Sequence, residues 1–456
     1  MSDYLDKLSQ FAAQTGFEDL SPEAVEAVKD VVLDTIGAML AGSRLPENRA
    51  LAETLSARSG PATATIIGRE FMAEPMMATL INATEGVSLE VDEGNRFGGG
   101  HPSIHTVPGA IAVAEEMGLS GRKLIEAALV GYEVCSRLGG ATRPRLHVHS
   151  HGLWGTMGTA TAVAKLNDFN ADQIKHVINL SASMSPANTW TPAFEGATVR
   201  NLYPGRSGFQ GILAVHLSRC GFTALADGPS DVYEKILADS FDQEQVVDGL
   251  GGEYRIQQNY FKMYACCRLN HPSVEAVMDA RQQQEFSANE VDSIEIDVPS
   301  PILAGMFGEY PDNMLAAKFN VPYAVSALVV KGEASLDAFY PDTIQDDRVQ
   351  ELASRVRVNM GDRPVSPINE GPLAVATVKL RDGREIKGQT ASSLRGDYGN
   401  RISKDEVVAK LHYLAGDILG QARADEVVDA VARLDSMSDI RELTSLVGGP
   451  KSGLSA

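Results

Sequence analysis

Apolar residues recur at three- and four-residue spacing through most of the first half of the chain, which is the pattern of one helix after another. Ser21-Pro22 opens such a run, because serine is a favoured N-cap and proline fits the first helical turn. This run ends at Gly42, and Ser120 opens a second one. Further helices are predicted over residues 152–166, 172–180 and 208–217.

The pattern changes near residue 270. Residues 292–300 alternate between apolar and polar, as a half-buried strand does. Residues 375–390 form two alternating runs around Asp382-Gly383, which is a strong hairpin signal. Helical patterns return after residue 402. We therefore predict a mainly α fold with an inserted α+β domain. The large all-helical domain would contain residues 1–269 and 403–456, and the smaller α+β domain residues 270–402.

Composition fits an ordinary globular protein of more than one domain, with 456 residues, of which 44% are hydrophobic and 22% charged. The net charge of −20 argues against nucleic acid and anionic membranes as partners. A small anionic substrate stays compatible with it, because the local charge of a pocket can oppose the global sign. We expect no signal peptide and no membrane-spanning helix. The four cysteines form no CxxC pair, so we expect reduced thiols and a cytoplasmic location.

Common motifs of nucleotide and hydrolase chemistry are missing from the sequence. No GxGxxG follows a predicted strand, and no Gly-Lys dipeptide is present for a Walker A loop. GxSxG and HExxH are also absent. These function classes therefore have little support.

Histidines supply the first candidate chemistry, since five of the nine lie in one stretch of the N-terminal half. His147, His149 and His151 alternate, and on an extended strand they would share one face as a three-nitrogen zinc site. Arg143 and Arg145 lie beside them, where a metal site would favour carboxylates. We therefore predict no metal, with a loop of solvated histidines as the other alternative.

A carboxylate substrate would need cations, and arginine binds a carboxylate with two hydrogen bonds. Two segments offer such cations. A glycine-rich turn contains Arg200 and Arg206, and Lys262 and Arg268 flank a pair of cysteines. The alternative for these arginines is an ordinary ion pair. The cysteine pair fits buried packing better than nucleophilic chemistry.

Several segments, in order along nearly the whole chain, resemble the MmgE/PrpD family. They are HPSIHTVPGAIAVAEE, HSHGLWGTMGTATAVAK, FKMYACCRLNHPSVEAV and KFNVPYAVSALV. This family includes 2-methylcitrate dehydratase, cis-aconitate decarboxylase and iminodisuccinate epimerase. The resemblance implies a large helical domain with a smaller α+β domain, a homodimer, and neither metal nor cofactor.

The resemblance also implies site residues. The acidic LDFDDT stretch of the family corresponds to LEVDEG, with Gly94 where the decarboxylases have threonine and Arg200 where the family has lysine. By this correspondence the catalytic residues would be His149, His105, Lys262 and Tyr323. The substrate-binding candidates are Glu90, Asp92, Arg200, Arg206, His101, His151 and Arg268.

The shared problem of these reactions is a carbanion next to a carboxylate, which needs a positioned base and cations. We predict a metal-independent lyase that eliminates water from a hydroxylated di- or tricarboxylate by general acid/base catalysis. Epimerisation of a carboxylate-bearing carbon and decarboxylation of a cis-aconitate-like acid are the alternatives. A protein that binds a carboxylate without catalysis is the alternative from a different class.

Overall fold

The computed structural model describes residues 3–301, 304–364 and 366–448, which form mainly α-helix with small β-sheets. Parts of the predicted domains lie outside the described residues. These are residues 1–2 and 449–456 of the helical domain, and residues 302–303 and 365 of the insertion.

Most of the N-terminal half is helical, as its pattern predicts. Ser21 caps α2 by accepting a hydrogen bond from Ala24 N, and Ser120 caps α6 in the same way through Lys123 N. None of the helices in the described ranges is long and apolar enough to cross a membrane. The helices up to residue 283 are α1 (Asp3–Gln14), α2 (Pro22–Ser43), α3 (Pro46–Ser56), α4 (Pro75–Val87), α5 (Pro102–Met117), α6 (Gly121–Gly140), α7 (Gly155–Leu166), α8 (Ala171–Ala182), α9 (Thr191–Phe194), α10 (Leu202–Arg219), α11 (Gly228–Val232), α12 (Gln243–Val247) and α13 (His271–Gln283).

Six short strands also lie in this half, and two of their three pairs join distant parts of the sequence. They are β1 (Ala64–Thr65), β2 (Met72–Ala73), β3 (Gly94–Asn95), β4 (Thr142–Pro144), β5 (Ala238–Phe241) and β6 (Asn259–Tyr260). They pair antiparallel as β1–β2, β3–β6 and β4–β5. The β3–β6 pair sets Gly94 opposite Tyr260, and this register matters for the site described below.

A four-stranded sheet forms the centre of the region after residue 283, in the order β10-β9-β7-β8. The predicted hairpin is confirmed as β9 and β10, whose turn places Gly383 in the left-handed region at φ +91°. The strands are β7 (Val291–Val298), β8 (Val356–Met360), β9 (Val375–Leu380) and β10 (Glu385–Gln389). The helices are α14 (Met314–Lys318), α15 (Val321–Lys331), α16 (Pro341–Ile344), α17 (Asp347–Ala353), α18 (Lys404–Leu419), α19 (Gln421–Ala432) and α20 (Arg441–Val447).

Two large hydrophobic cores hold the chain together. The first takes residues from both ends of the chain, such as Leu5 of α1, Ile36 of α2 and Leu443 of α20. The second lies around the four-stranded sheet, where Ile294 of β7 pairs with Val378 of β9. Residues next to both cores line a single cavity, so the fold places polar side chains from distant parts of the sequence around one space.

Candidate active site

A cavity of about 410 Å³ contains most of the polar residues that the sequence singles out. One side of its wall comes from the helical half and includes Glu90, His101, His149, His151 and Arg200. The other side includes Val298, Phe319, Leu373 and Leu394 from the region around the sheet.

Two buried carboxylates and two buried cations form an ion network at this cavity, in which Glu90 and Arg200 line the wall and Asp92 and Lys262 lie behind them. Lys262 Nζ lies 2.8 Å from Glu90 Oε2 and 3.2 Å from Asp92 Oδ1, and Arg200 Nη1 lies 2.5 Å from Glu90 Oε1. All four side chains are almost fully buried. The two positive and two negative charges balance each other, so the network is neutral as a unit.

The network also sets the protonation of its members. Burial alone would raise the pKa of Glu90, but Arg200 and Lys262 outweigh it and hold this pKa below its ordinary value. The pKa of Asp92 is lowered against burial by Lys262 and His101. Burial would lower the pKa of Lys262, yet Asp92 and Glu90 raise it. Both carboxylates are therefore ionised, and Lys262 is charged and already bound to them.

Glu90 enters this network from a turn that follows α4. Its backbone lies in the left-handed region at φ 55°, which is rare for a residue with a side chain and is typical of functional sites. Two residues later Asp92 reaches the same lysine, and β3 begins at Gly94.

His101 immediately precedes α5 and has the arrangement of a general base. Its Nδ1 lies 2.7 Å from the backbone carbonyl oxygen of Glu93 and 3.1 Å from Asp92 Oδ2. A carbonyl oxygen only accepts, so Nδ1 carries a hydrogen and Nε2 is the ring nitrogen that could accept a proton. A carboxylate behind a histidine orients the ring and stabilises the imidazolium that forms when the other nitrogen takes a proton.

His149 has the opposite arrangement. Its Nδ1 accepts a hydrogen bond from His151 N at 3.0 Å, so the neutral ring carries its hydrogen on Nε2. That Nε2 is buried without a hydrogen-bond partner in the described part of the chain. Burial and the charge of Arg200 hold the pKa of His149 well below its ordinary value. Trp190 stacks on the ring at 3.9 Å between centroids, which restricts the orientation of His149.

His105 does not fit its predicted role in proton transfer. Its Nδ1 donates to the carbonyl oxygen of His101 at 2.7 Å, and its Nε2 accepts from Gly152 N at 2.9 Å. Both nitrogens are therefore occupied by the protein, and His105 is absent from the wall of the cavity. Burial lowers its pKa to about 4, so the ring is neutral at neutral pH.

Two matches to known protein families cover most of this chain. The MmgE/PrpD N-terminal domain matches residues 6–239, and the MmgE/PrpD C-terminal domain matches residues 264–435. The chain belongs to the MmgE/PrpD family. The resemblance read from its sequence motifs is thereby confirmed.

Curated relatives of this MmgE/PrpD protein include cis-aconitate decarboxylases. The one from Aspergillus terreus is 22% identical over 472 residues, which span 97% of this chain and 96% of the relative. The mouse relative is 21% identical across 94% of this chain and 90% of its own length, and the human one is 22% identical across 94% and 92%. These matches support an enzyme of the lyase class.

Two other residues expected from the sequence lie away from the cavity of this MmgE/PrpD protein. The hydroxyl of Tyr323 donates to the backbone oxygen of Ala338 at 2.6 Å inside the second core. Arg206 donates to the side chain of Asn188 and lies 5.9 Å from the ring centroid of Tyr203. Their predicted contact with substrate therefore has no support in this arrangement, whereas Arg268 does line the cavity.

Tyr260 lines the cavity and was not predicted from the sequence. It pairs with Gly94, and a side chain at Gly94 would collide with its hydroxyl. The tyrosine therefore occupies the space that a threonine would need at this position. The sequence does contain a signal for Tyr260. It precedes Lys262 by two residues in an extended segment, and residues at that spacing lie on the same face. Trp190 was also missed, although the chain has only two tryptophans.

The structure does not bring together the three histidines of the alternative zinc site, but it does bring together a different set of possible metal ligands. His147 is exposed whereas His149 and His151 are buried, so these three do not share one face. Asp92, His101 and His151 instead bring ligand atoms within 4.8 Å of one another. Asp92 is already paired with Lys262, and Arg200 lies in the same network, so the donor set is surrounded by cations that disfavour a metal ion.

Proposed function

We propose that this protein is a lyase that eliminates water from a hydroxylated di- or tricarboxylate without a metal ion. The observation that carries this proposal is the arrangement of His101, whose Nδ1 donates to the Glu93 carbonyl and lies beside the Asp92 carboxylate in the wall of a cavity with cations. Family membership and the decarboxylase relatives support the lyase class.

The first step is removal of a proton from the carbon next to a carboxylate. His101 Nε2 takes this proton, and Asp92 stabilises the resulting imidazolium. The electron pair of the broken C–H bond spreads onto the neighbouring carboxylate. The Nε2–H of His149 and the guanidinium of Arg200 stabilise this charge, because both are donors on buried side chains.

The second step expels the hydroxyl group from the adjacent carbon. The electron pair forms the C=C bond as the C–O bond breaks, and the leaving oxygen needs a proton to depart as water. Tyr260 lines the cavity and is positioned to supply that proton, since its ring centroid lies 6.1 Å from that of His101. Burial raises the pKa of Tyr260, so its hydroxyl is protonated at neutral pH.

Decarboxylation is the second candidate, and the relatives favour it. Each of the relatives named above is a cis-aconitate decarboxylase, and each match covers at least 90% of the relative's length. Gly94 and Arg200 depart from the threonine and lysine that the resemblance assigns to decarboxylases. Tyr260 occupies the space that this threonine would need, and its hydroxyl could protonate a leaving hydroxyl group.

The deciding experiment offers the purified protein 2-methylcitrate, citrate and cis-aconitate in separate reactions in deuterated buffer. Elimination is expected to produce ultraviolet absorbance from a new conjugated C=C bond with a hydroxylated acid. Release of CO₂ from cis-aconitate would instead establish decarboxylation. Deuterium entering the α-carbon without net product would indicate epimerisation, and no change with any acid would favour a binding protein.

Activity is expected to survive removal of metal ions, because the cavity wall already contains cationic side chains, among them Arg200 and Arg268. The measurement compares rates before and after exhaustive dialysis against a chelator, with metal content determined in parallel. Loss of activity that zinc restores would contradict metal independence and would point to Asp92, His101 and His151.

A further inference from the structure

A second group of cations lies in the wall of the same cavity. Arg96 and Arg268, here called the rim pair, both line the cavity and both face Asp397. Arg96 Nη1 lies 3.5 Å from Asp397 Oδ2, and Arg268 Nη2 pairs with Asp397 Oδ1. Two positive charges share one carboxylate, so this group has a surplus of one positive charge.

This surplus contrasts with the balanced network of Glu90, Asp92, Arg200 and Lys262. Glu275 is the next acidic side chain near Arg268, but it accepts a hydrogen bond from Arg395 N and does not line the cavity. The rim pair is therefore the part of the cavity wall where an added anion would find an unbalanced charge.

The rim pair is held in place before any ligand binds. Arg268 donates from Nη1 to His271 Nδ1 at 2.8 Å, and its guanidinium carbon lies 4.7 Å from the ring centroid of Tyr260. Asp397 accepts from Leu394 N at 3.1 Å, and Arg96 donates to the backbone oxygen of Ser366. Fixed guanidinium groups lose little conformational freedom when they bind a carboxylate.

Tyr260 connects the rim pair to the candidate base. Its ring centroid is 4.7 Å from the guanidinium carbon of Arg268 and 6.1 Å from the ring centroid of His101. A ligand whose reacting carbon lies beside His101 therefore needs only a few carbon atoms to place a distal carboxylate at the rim pair. Ser300 and Asn369 add polar groups to the same wall.

We propose that Arg96 and Arg268 bind a second carboxylate of the substrate and so select di- and tricarboxylates over monocarboxylates. This inference rests on the proposed function, since it assigns the far end of the same substrate. Asp397 would then lower the affinity of the rim pair for anions in general, so that a carboxylate binds there well only when the rest of the molecule occupies the inner cavity.

Calorimetric titration with unreactive acids tests this inference. Glutarate has two carboxylates and its monomethyl ester has one on the same carbon chain, and neither has a hydroxyl group to eliminate. The wild-type protein is expected to bind glutarate about tenfold or more tighter than the ester. Arg96→Gln and Arg268→Gln should remove most of this preference by weakening glutarate alone. Arg96→Lys should retain part of it.

Arg401→Gln is the matched control, because Arg401 lies over the ring of Tyr398 outside the cavity and carries the same charge. The Arg401→Gln variant should prefer glutarate over the ester as strongly as the wild type does. Thermal melting of each variant reports whether it folds. Should Arg268→Gln fail to fold, the Arg96 variants decide alone. A glutarate preference that survives Arg96→Gln in folded protein overturns the rim pair as a carboxylate site.

The two proposals fail in different ways. If hydroxylated acids are dehydrated while Arg96→Gln keeps the diacid preference, the rim pair is wrong and the proposed function stands. If the rim pair accounts for the diacid preference while no acid is converted, the subsite stands and the dehydratase proposal is wrong.

Discussion

His101, His105 and His149 lie in one cluster in which only His101 is partly exposed, and their ring nitrogens have different partners. The partners leave a lone pair on His101 Nε2, a hydrogen on His149 Nε2, and nothing free on His105. His101→Gln should therefore lower kcat by about a hundredfold or more with little change in KM, since glutamine keeps the size but cannot take a proton. Steady-state kinetics measure this, with thermal melting to confirm folding.

The exposed His147 provides the control for that substitution. His147→Gln should leave kcat within about twofold of the wild type, because its side chain lies outside the cavity. A folded His101→Gln protein with near wild-type kcat would show that His101 is not the base.

The buried His105 predicts a pH effect on stability. Its pKa is about 4 in the folded protein against 6.5 for an unperturbed histidine, so the unfolded chain binds more protons between these values. The depressed pKa makes this contribution fully present above pH 6.5 and lost as the pH falls towards 4. The loss is about 3 kcal/mol by the usual conversion of pKa into free energy.

The comparison with His105→Gln isolates this effect from other titrating groups. The variant loses two hydrogen bonds at every pH but has no imidazole to protonate, so its stability deficit relative to the wild type should shrink as the pH falls from 7 to 4. Urea unfolding at several pH values measures the deficit. A constant deficit would mean that His105 titrates equally in both states.

The sequence predicts the histidine cluster but not the role of each member. Role depends on which backbone group meets each ring nitrogen, and the oxygen of Glu93 and the N–H of Gly152 reach their histidines only through tertiary folding. The family resemblance favoured His105, whereas the hydrogen bonds favour His101. Similarly, Tyr323 matches a family motif, but its hydroxyl is occupied by Ala338.

Among the elements, the two-residue strands β3 and β6 have the most direct effect on the site. They set Gly94 against Tyr260, and a side chain at Gly94 would meet the tyrosine hydroxyl. Gly94→Thr should therefore lower the melting temperature and displace Tyr260. Tyr260→Ala should relieve the collision, so that the double variant is more stable than the sum of single effects predicts.

Thermal melting of the four proteins gives the coupling, which should reach at least about 1 kcal/mol because the residues are in direct contact. Additive effects would mean that the loop moves aside without cost. Tyr260→Phe serves as the control for chemistry, since it keeps the ring and removes only the hydroxyl. It should lower kcat while the melting temperature changes little.

Long elements were predictable because their sequences carry both a period and a start signal. The helix after Ser21 and the hairpin around Gly383 are examples. Strands of two residues have no period to recognise, so β3 and β6 were missed. The start of α10 was predicted at residue 208, but the helix begins at Leu202. Pro204 and Gly205 weaken the local helical pattern, and Gly205 is required there by the close approach of the Leu80 backbone.

At the scale of the whole molecule, the C-terminal helices return to the N-terminal ones. Leu411 of α18 packs on Gly37 of α2, and Lys410 Nζ lies 2.6 Å from Asp34 Oδ1. The helical pattern at both chain ends predicts such an arrangement, but the cavity between the two cores is not visible in any local pattern. Asp397 reaches Arg96 and Arg268 across long sequence separations, so a single sequence gives no reason to group them.

The exposed apolar surface of the molecule is relevant to the expected homodimer. Leu146 is 69% exposed and Ile236 is 58% exposed. They lie on neighbouring segments, because Arg145 N donates to the backbone oxygen of Leu237 at 3.0 Å. Exposed large apolar side chains on neighbouring segments make this surface the candidate for contact with a partner. We therefore expect this surface to take part in the contact between two copies of the chain.

Sedimentation velocity at micromolar concentration should show a particle of twice the 48.7 kDa chain mass. Leu146→Glu combined with Ile236→Glu should shift it towards the monomer, since four charges would enter the dimer interface across the two copies. Met360→Glu is the control, because Met360 is also exposed but lies at the end of β8 in the sheet region. A wild-type particle of only 48.7 kDa would contradict the dimer. A dimer that the double variant leaves intact would place the interface elsewhere.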